Sequence, residues 1–230
     1  MEISDARALV AGATGALGGG VARALHEQGA RLALTGRDPD RLAALGGELG
    51  APTFTLDVVD LERAAATVEE AVGALGGLDL LVVATGVPAF GPAVEADPAV
   101  TEEVFAVNAL GATGVVRAAL PHLDGGVAVV LSAILADAPM AGMADYSAAK
   151  AALTAWLTAV RREHRRSTRV VDVRPPHLDT ELASHALAGE PPKLPEPLPA
   201  ADVVRAILDA VADDKATEVV WDRSDGLVVR

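Results

Sequence analysis

Short runs of apolar residues alternate along the chain with longer runs in which apolar residues recur every three to four positions. Continuous apolar runs are typical of strands buried on both faces of a parallel sheet, and the longer spacing is typical of amphipathic helices. The predicted strands are residues 7–11, 31–35, 52–56, 78–84, 126–132, 169–173 and 218–221. The predicted helices are residues 17–28, 39–49, 61–74, 100–120, 143–166 and 201–211.

This strand–helix alternation predicts a single α/β domain over residues 1–230. Seven strands would form a parallel sheet, and six principal helices would cover both of its faces in a doubly wound Rossmann fold. Ligands of this architecture bind beyond the carboxyl ends of the strands. We therefore expect the functional side chains in the loops that follow the strands.

One long segment has neither pattern. Residues 187–200 contain five prolines, which lack a backbone donor and restrict the residue before them, so a strand or an interior helix is excluded. The segment follows the sixth predicted strand at its carboxyl end. Residues 178–200 are therefore predicted to form a lid over the ligand site, with a purely structural connector as the alternative.

Composition narrows the class of protein. Apolar residues make up 51% of the chain and aromatic residues only 3%, so the core must be built mainly from Ala, Val and Leu. The net charge of −13 opposes binding to nucleic acid, whose affinity depends on Lys and Arg contacts with phosphate. We see no cysteine, no unbroken apolar run long enough for a membrane span and no signal-like N-terminal segment. A cytoplasmic protein is expected, without disulfides and, because its histidines do not cluster with carboxylates, without a metal site.

Residues 12–18 read Gly-Ala-Thr-Gly-Ala-Leu-Gly and lie between the first predicted strand and the first helix. Glycines in this context let the backbone approach a pyrophosphate, and the free amides at the helix start hold the anion. A tight packing turn without a ligand is the alternative. The segment predicts a dinucleotide site whose contacts are Gly12, Thr14, Gly15, Ala16, Leu17 and Gly18.

The residues that follow the second and third strands bear on which dinucleotide is bound. Gly36 carries no carboxylate for a ribose 2′-hydroxyl, whereas Arg37 offers a planar donor fork suited to the 2′-phosphate of NADP(H). NADP(H) is therefore predicted over NAD(H), although Asp38 could instead pair with Arg37. After the third strand, Asp57 could accept from the adenine amino group while Val58 packs on the ring. A helix N-cap at Asp57 or Asp60 is the ordinary alternative.

A possible acid–base pair lies near the start of the predicted helix 143–166. Tyr146, the only tyrosine, precedes Lys150 by four residues, so both side chains lie on one helix face. A free phenol has a pKa of about 10, and a nearby cation lowers it, which would produce a general acid or base that works near neutral pH. A solvated Tyr and Lys without a function are the alternative.

With the glycine turn near its N-terminus and the Tyr146–Lys150 pair, the chain resembles the short-chain dehydrogenase/reductase family, in its compact branch. The resemblance covers nearly all of the chain and implies hydride transfer between a nicotinamide and a carbonyl or alcohol. It also implies two further catalytic residues. Ser132 stands 14 residues before Tyr146, at the end of the fifth strand, and Asn108 stands in the middle of a helix.

The resemblance implies a role for each catalytic residue. Tyr146 would donate a proton to the substrate oxygen, and Ser132 would hydrogen-bond that oxygen and orient the substrate. Lys150 would lower the tyrosine pKa and hold the nicotinamide ribose, and Asn108 would position a water that links Lys150 to solvent. Considered alone, Ser132 also fits a strand-end cap and Asn108 a helix-packing residue.

Two further loops are expected beside the cofactor. Residues 174–180 would border the nicotinamide, where Thr180 would contact its carboxamide or the phosphates, unless it only caps residues 181–187. The chain departs from the family pattern at the middle glycine of the turn, at the missing asparagines after the fourth strand and at a second proline after the sixth. The remaining expected cofactor contacts in these loops are Ala84, Thr85, Gly86, Pro175 and His177.

Two other kinds of protein remain open from the sequence: a regulatory protein that binds NADP without turnover, and an epimerase or dehydratase of the same family. Partners are expected to be a small carbonyl or alcohol substrate and a second copy of the chain. In the family that is resembled, the helices predicted at 100–120 and 143–166 form a dimer interface, often within a tetramer. Alternatively, their apolar faces only cover the sheet.

Overall fold

The computed structural model describes all 230 residues, which form one sheet with helices on both faces. The strands are β1 (Arg7–Ala11), β2 (Arg31–Gly36), β3 (Thr53–Thr55), β4 (Leu80–Val83), β5 (Val127–Leu131), β6 (Arg169–Arg174), β7 (Glu218–Asp222) and β8 (Gly226–Val229). Their order is β3-β2-β1-β4-β5-β6-β7-β8. The first seven strands run parallel and β8 runs antiparallel to β7.

Two apolar layers hold the helices to the sheet, because alternate strand residues point to opposite faces. In β1, for example, Ala8 and Val10 belong to one buried cluster and Leu9 and Ala11 to the other. The helices are α1 (Ala16–Glu27), α2 (Pro39–Leu49), α3 (Leu61–Leu75), α4 (Pro98–Phe105), α5 (Ala112–Ala119), α6 (Ala144–Glu163) and α7 (Ala200–Ala212). The first layer packs under α1, α2 and α7, and the second under α3, α5 and α6.

The predicted doubly wound α/β fold is confirmed, and the predicted number of strands is wrong by one. The eighth strand, β8, begins at Gly226, which has a φ of +78°. Its four residues are only half buried, so they lack the continuous apolar pattern that marked the other strands. The sheet is therefore mixed, with one antiparallel strand at its edge.

The predicted helix over residues 100–120 is interrupted. A π-helical turn, Ala106–Gly111, separates α4 from α5. Gly111 lies so close to Val58 that an added Cβ would be 2.7 Å from its side chain. The turn also contains Asn108, and π-helical turns are frequent at functional sites.

The helical run Pro98–His122 is long and apolar enough, by length and composition, to cross a membrane. Within its most apolar window, however, 56% of the residues are buried inside the protein. This burial is that of a helix that covers a sheet, since α5 packs against α3 and β4. Glu102, Glu103 and Arg117 interrupt this run, so the sequence shows no unbroken apolar stretch there.

Residues 178–200, which include the proline-rich segment, form a loop held by several backbone hydrogen bonds. Near its start, the amide of Asp179 donates to the carbonyl of Leu198 at 2.9 Å. Farther along, Leu187 donates to Pro88, and Phe90 donates to Ala188, each at 2.9 Å. These bonds join the segment to the loop after β4, so it lies across the carboxyl end of the sheet.

Candidate active site

Tyr146 and Lys150 lie in the first two turns of α6, and both side chains are buried. Tyr146 packs in a small apolar cluster that includes Phe90, Ala133 and Met143. Asp145, beside it, accepts a hydrogen bond from the Thr101 hydroxyl at 2.9 Å, which ties the start of α6 to α4. The pair predicted from sequence therefore faces the interior, at the carboxyl end of β5, and not solvent.

Burial controls the ionisation of both residues. It raises the pKa of Tyr146 to about 12 and lowers the pKa of Lys150 to about 8, because a charge loses hydration in the interior. The Lys150 ammonium donates to the carbonyl of Leu131 at 3.0 Å and lies 3.5 Å from that of Thr85. It is 5.9 Å from the centre of the tyrosine ring. Burial is the cause of the raised pKa of Tyr146 in this structure, and the expectation that Lys150 lowers that pKa stays a prediction.

Ser132 follows β5 directly and is buried. It lies between Leu131, whose carbonyl binds Lys150, and Ala133, which packs in the cluster around Tyr146. The fold therefore brings Ser132 into the same region as the tyrosine–lysine pair. Its hydroxyl donates to the carboxylate of Asp172, a partner that the sequence analysis did not consider.

Asn108 has no exposed surface, and its side chain is engaged by backbone. Its amide group donates to the carbonyls of Val87 and Val104, each at 2.8 Å, and its oxygen accepts from the Val87 amide at 3.2 Å. These bonds fix the loop after β4 against the π-helical turn. The expected role of Asn108 in holding a water stays a prediction.

The glycine turn has the shape of an anion cradle. Gly12 has a φ of +82°, and a Cβ there would lie 2.7 Å from the carbonyl oxygen of Ala84. A Cβ at Gly18 would lie 2.2 Å from the carbonyl oxygen of Gly12, so α1 approaches the turn as only glycine allows. The N-cap of α1, Gly15, offers no side-chain acceptor, which leaves the first amides of the helix free for an anion.

The remaining predicted residues of this turn line the same cradle. Thr14 lies against Gly36, where a Cβ would be 2.8 Å from its methyl group. That contact gives a physical reason for a glycine, and hence no carboxylate, at the end of β2. Ala16 and Leu17 begin α1. Thr85 borders Gly12, and its hydroxyl is buried without a partner, so a polar group of a dinucleotide would complete the site.

After β2, Arg37 presents an exposed guanidinium, and the neighbouring Asp38 is engaged elsewhere. Asp38 caps α2 by accepting from the amides of Asp40 and Arg41, each at 3.0 Å. It is therefore committed to the helix and does not pair with Arg37. Arg37 is exposed and makes no hydrogen bond within the protein.

After β3, the two predicted adenine contacts differ in exposure. Asp57 is exposed and accepts from the amide of Val59 at 3.2 Å, while Asp60 is the N-cap of α3. The helix-cap alternative is thus confirmed for Asp60 and not for Asp57. Val58 is buried against Gly111 and packs in the core, so its side chain is already covered on that face.

The loop residues expected near the nicotinamide also lie at the carboxyl edge. Gly86 fits between two predicted catalytic groups, since a Cβ there would be 3.0 Å from the Asn108 oxygen and 3.4 Å from the Lys150 nitrogen. Pro175 accepts from the amide of Ile134 at 3.0 Å. His177 bonds through Nδ1 to the carbonyl of Pro195 at 2.9 Å, which is a structural contact. Thr180 caps the short helix Glu181–His185, which is the alternative stated for it, and its contact with the cofactor stays a prediction.

One buried ionic network near the site was missed from the sequence. Asp172, on β6, is 1% exposed and accepts from Arg174 at 2.8 Å as well as from Ser132. Arg174 also pairs with Asp137 at 2.9 Å and with Glu218 at 3.0 Å. The sequence contains a signal for this network, because Asp172 and Arg174 are two residues apart in an apolar strand and therefore lie on the same face.

Comparison with known proteins identifies the chain. The family model for short chain dehydrogenases matches residues 6–191. The chain belongs to the short-chain dehydrogenase family. The resemblance inferred from the glycine turn and the Tyr146–Lys150 pair is thereby confirmed, and the protein is an oxidoreductase of this family. The structure brings together no group of His, Asp and Glu that could hold a metal ion.

Three relatives indicate how far this similarity extends. An oxidoreductase of Myxococcus xanthus is 33% identical over 193 residues, which cover 80% of this chain and 76% of that protein. The bovine dehydrogenase/reductase SDR family member 7B is 28% identical over 82% of this chain, but the match spans only 62% of its length. The crystal structure of an alcohol dehydrogenase from Thermococcus sibiricus with 5-hydroxy-NADP has 26% identity and a TM-score of 0.81, and the match covers 92% of this chain and 94% of that one.

Proposed function

We propose that this protein is an NADP(H)-dependent reductase of small, uncharged carbonyl compounds, with Tyr146 as the proton donor. The observation that carries the proposal is the position of the only tyrosine. It is buried in an apolar cluster at the carboxyl end of β5, one helical turn before Lys150. The glycine cradle lies at the same edge of the sheet, which is where a doubly wound fold binds its ligands.

When bound, the nicotinamide would supply a hydride to the carbonyl carbon. The raised pKa of Tyr146, about 12, keeps its phenol protonated at neutral pH, so the proton that the substrate oxygen requires is in place. With a pKa of about 8, Lys150 is mainly protonated and can stabilise the phenolate left behind. The carbonyls of Leu131 and Thr85 hold the ammonium in position.

Preference for NADP(H) rests on Arg37. Because Asp38 is committed to capping α2, the guanidinium is exposed and has no acidic partner, as a site for a 2′-phosphate requires. The archaeal relative was crystallised with an NADP derivative.

We expect Arg37→Ala to lower the ratio of kcat/KM for NADPH over NADH by about tenfold or more. Arg41→Ala, which removes an exposed arginine of the same segment, is the matched control; an unchanged ratio in Arg37→Ala contradicts the assignment.

The proposed substrate class follows from a surface pocket whose lining residues are chain neighbours of the Tyr146 cluster, although Tyr146 itself does not line it. A cavity of about 520 Å³ is lined mostly by small and apolar residues and has one charged lining residue, Glu190. A pocket without a basic residue offers nothing to a carboxylate or phosphate, whereas it suits an apolar ketone, aldehyde or quinone. Its other lining residues are Gly91, Pro92, Ala93, Ala141, Gly142, Ala144 and Pro192.

Residues 178–200 are proposed to act as the lid of this site. Ala183, Ala186 and Leu194 pack against the apolar cluster that contains Tyr146, so in the present conformation the segment covers the tyrosine. The two hydrogen bonds to Pro88 and Phe90 hold it there. Substrate entry would therefore require these contacts to open.

The proposal is tested with NADPH and a panel of carbonyls: cyclohexanone, acetophenone and menadione, with pyruvate as the charged control. Wild-type protein should oxidise NADPH with at least one apolar carbonyl and not with pyruvate. Tyr146→Phe should lose about 10²-fold or more of this activity, because the proton donor is gone, while its affinity for NADPH stays the same. Full activity in Tyr146→Phe would refute the catalytic assignment. NADPH binding without turnover would favour a regulatory protein, and cofactor retained through purification would favour an epimerase or dehydratase.

We further propose that the protein forms a dimer through α6 and the helical run before it. One face of α6 carries exposed small residues, and Leu110 in the neighbouring π-helical turn is 59% exposed. Trp156 is half buried and packs against the second apolar layer of its own subunit. The Arg117 guanidinium lies over its ring, 5.7 Å from the ring centre. The exposed small residues of α6 are Ala148, Ala152, Ala155 and Ala159.

A further inference from the structure

A second pocket lies at the amino edge of the sheet, over the start of β6. It has a volume of about 400 Å³ and is lined mainly by residues of the segments 125–127, 161–170 and 214–217. These segments contain the first residues of β5 and β6 and the turn before β7. The glycine turn and Tyr146 lie at the opposite, carboxyl edge, so this amino-edge pocket is separate from the candidate active site.

The side chains that line the amino-edge pocket are predominantly basic. Its basic residues are Arg161, Arg165, Arg166, Arg169 and Lys215, and its one acidic residue is Asp214. The whole chain has 32 acidic and 19 basic residues, so this excess of positive charge is local. A concave surface lined by one sign of charge raises the concentration of oppositely charged ligands around it.

Two of these arginines are held in place by backbone carbonyls. Arg161 donates through Nε to Val170 at 3.0 Å and through Nη2 to Thr217 at 2.7 Å. Arg169, at the start of β6, donates through Nη1 to the carbonyl of Ala210 at 2.7 Å. Because both guanidinium groups are already ordered, an anion that binds them costs little additional side-chain entropy.

The other three cations have no ion-pair partner. Arg165, Arg166 and Lys215 are exposed, and no carboxylate oxygen lies within 4.0 Å of their charged nitrogens. The dipole of α6 favours basic residues in its last turn, but Arg165 and Arg166 lie beyond its end at Glu163. Like charges repel one another, and an anion with two or more charges would relieve that repulsion.

We propose that the amino-edge pocket binds a small ligand that carries two or more negative charges on phosphate or carboxylate groups. A planar guanidinium matches both groups through paired hydrogen bonds. The volume of about 400 Å³ is in the range of small-molecule sites. Binding at this edge requires no turnover, so the proposal does not depend on the proposed carbonyl reduction.

The measurement is titration calorimetry of the full chain with pyrophosphate, and with citrate to distinguish a phosphate from a carboxylate ligand. Saturating NADP⁺ is present throughout, because the glycine turn and Arg37 at the other edge could also bind an anion. The double variant Arg165→Ala/Arg166→Ala should bind the preferred probe about tenfold more weakly or worse, since the pocket loses two positive charges.

Arg162→Ala/Arg223→Ala is the matched control. Both arginines are exposed and neither lines the pocket, so this variant has the same net charge as the pocket variant. It should keep nearly the wild-type affinity at physiological ionic strength, where charges outside the site are largely screened. All four substituted side chains are exposed, so both variants should fold, and circular dichroism checks this.

Saturable binding of either probe that is weakened only in the pocket variant supports the inference. Wild-type protein that binds neither probe at millimolar concentration overturns it. Equal weakening in both double variants also overturns it, because general charge and not the pocket would then attract the anion. Binding that neither variant weakens would lie elsewhere on the protein and overturns it as well. NADPH oxidation with the carbonyl panel tests the proposed function independently of each of these results.

Discussion

At the scale of single residues, the same burial affects Tyr146 and Lys150 in opposite ways. It holds the phenol protonated and makes the ammonium easier to deprotonate. The consequence is that the Tyr146 phenol stays protonated at neutral pH in this conformation, as the proposed proton donor must be, and its conversion to phenolate requires charge supplied from outside its apolar cluster. Because the chain has no other tyrosine, this property can be measured directly.

We predict that native protein shows almost no phenolate absorbance at pH 10, where an ordinary tyrosine, with a pKa of about 10, is half ionised. The unfolded chain releases this proton near pH 10 and the folded protein only near the raised pKa of about 12. Stability is therefore lost as the pH rises through this window. Ultraviolet titration of native and urea-unfolded protein measures both values, with Tyr146→Phe as the blank. A native midpoint near 10 would contradict the burial.

Tyr146, Lys150 and the glycine turn lie at the elements where the sequence predicted them, because the pair and the turn have fixed positions relative to a helix start. Ser132 lies where the family resemblance implied it, at the end of β5. Asp172 was not found, since the strand Arg-Val-Val-Asp-Val was read only for its apolar content. The depth at which Tyr146 and Lys150 are buried was not predicted either, because spacing along a helix shows which residues share a face but not how deeply that face is buried.

At the scale of elements, the predicted strands were found because they are buried on both faces and read as apolar runs. The edge strand β8 and the π-helical turn were missed, since half-buried residues and one extra residue in a helix leave no clear period. The proline-rich loop was predicted from its composition. Its anchoring to the loop after β4 depends on contacts between distant residues, which no local pattern encodes.

Gly189 is the residue on which this anchoring depends most. It has a φ of +71°, and a Cβ there would lie 2.1 Å from the carbonyl oxygen of Phe90. We predict that Gly189→Ala releases the lid, so that trypsin cleaves after the exposed Lys193 faster than in wild type. Mass spectrometry of the fragments measures the rate.

Gly125→Ala is the matched control for the lid. Gly125 has a φ of +75°, and no atom lies within 4 Å of an added Cβ, so the substitution adds the same backbone strain without the clash. Cleavage after Lys193 should not change in this variant. Equal acceleration in both variants would show that strain, and not lid anchoring, is the cause.

At the scale of the whole molecule, the chain has 32 acidic and 19 basic residues, while the exposed face of α6 carries the small apolar residues Ala148, Ala152, Ala155 and Ala159. A net charge of −13 keeps copies of the chain apart in general, so association requires a local surface that permits close contact. Small residues allow two helices to approach closely. The proposed dimer would place this face of α6 against its symmetry mate.

We predict that Ala155→Arg converts the dimer to a monomer, because two long charged side chains would meet near the symmetry axis. Sedimentation at micromolar protein concentration distinguishes the two masses. Ala43→Arg makes the same change at an exposed position of α2 and should leave the mass unchanged. A wild-type protein that sediments as a monomer would remove the basis for the proposed interface.

The ionic network at β6 also limits how this protein can evolve. Loss of Arg174 would leave the Asp172 carboxylate buried without a cation, at a cost of about 3–5 kcal/mol, whereas loss of Asp172 leaves Arg174 with two acidic partners. The arginine must therefore arise before the acid and outlast it. Among relatives, an acid at this strand position should always be accompanied by the arginine two residues later, while the arginine should also occur alone.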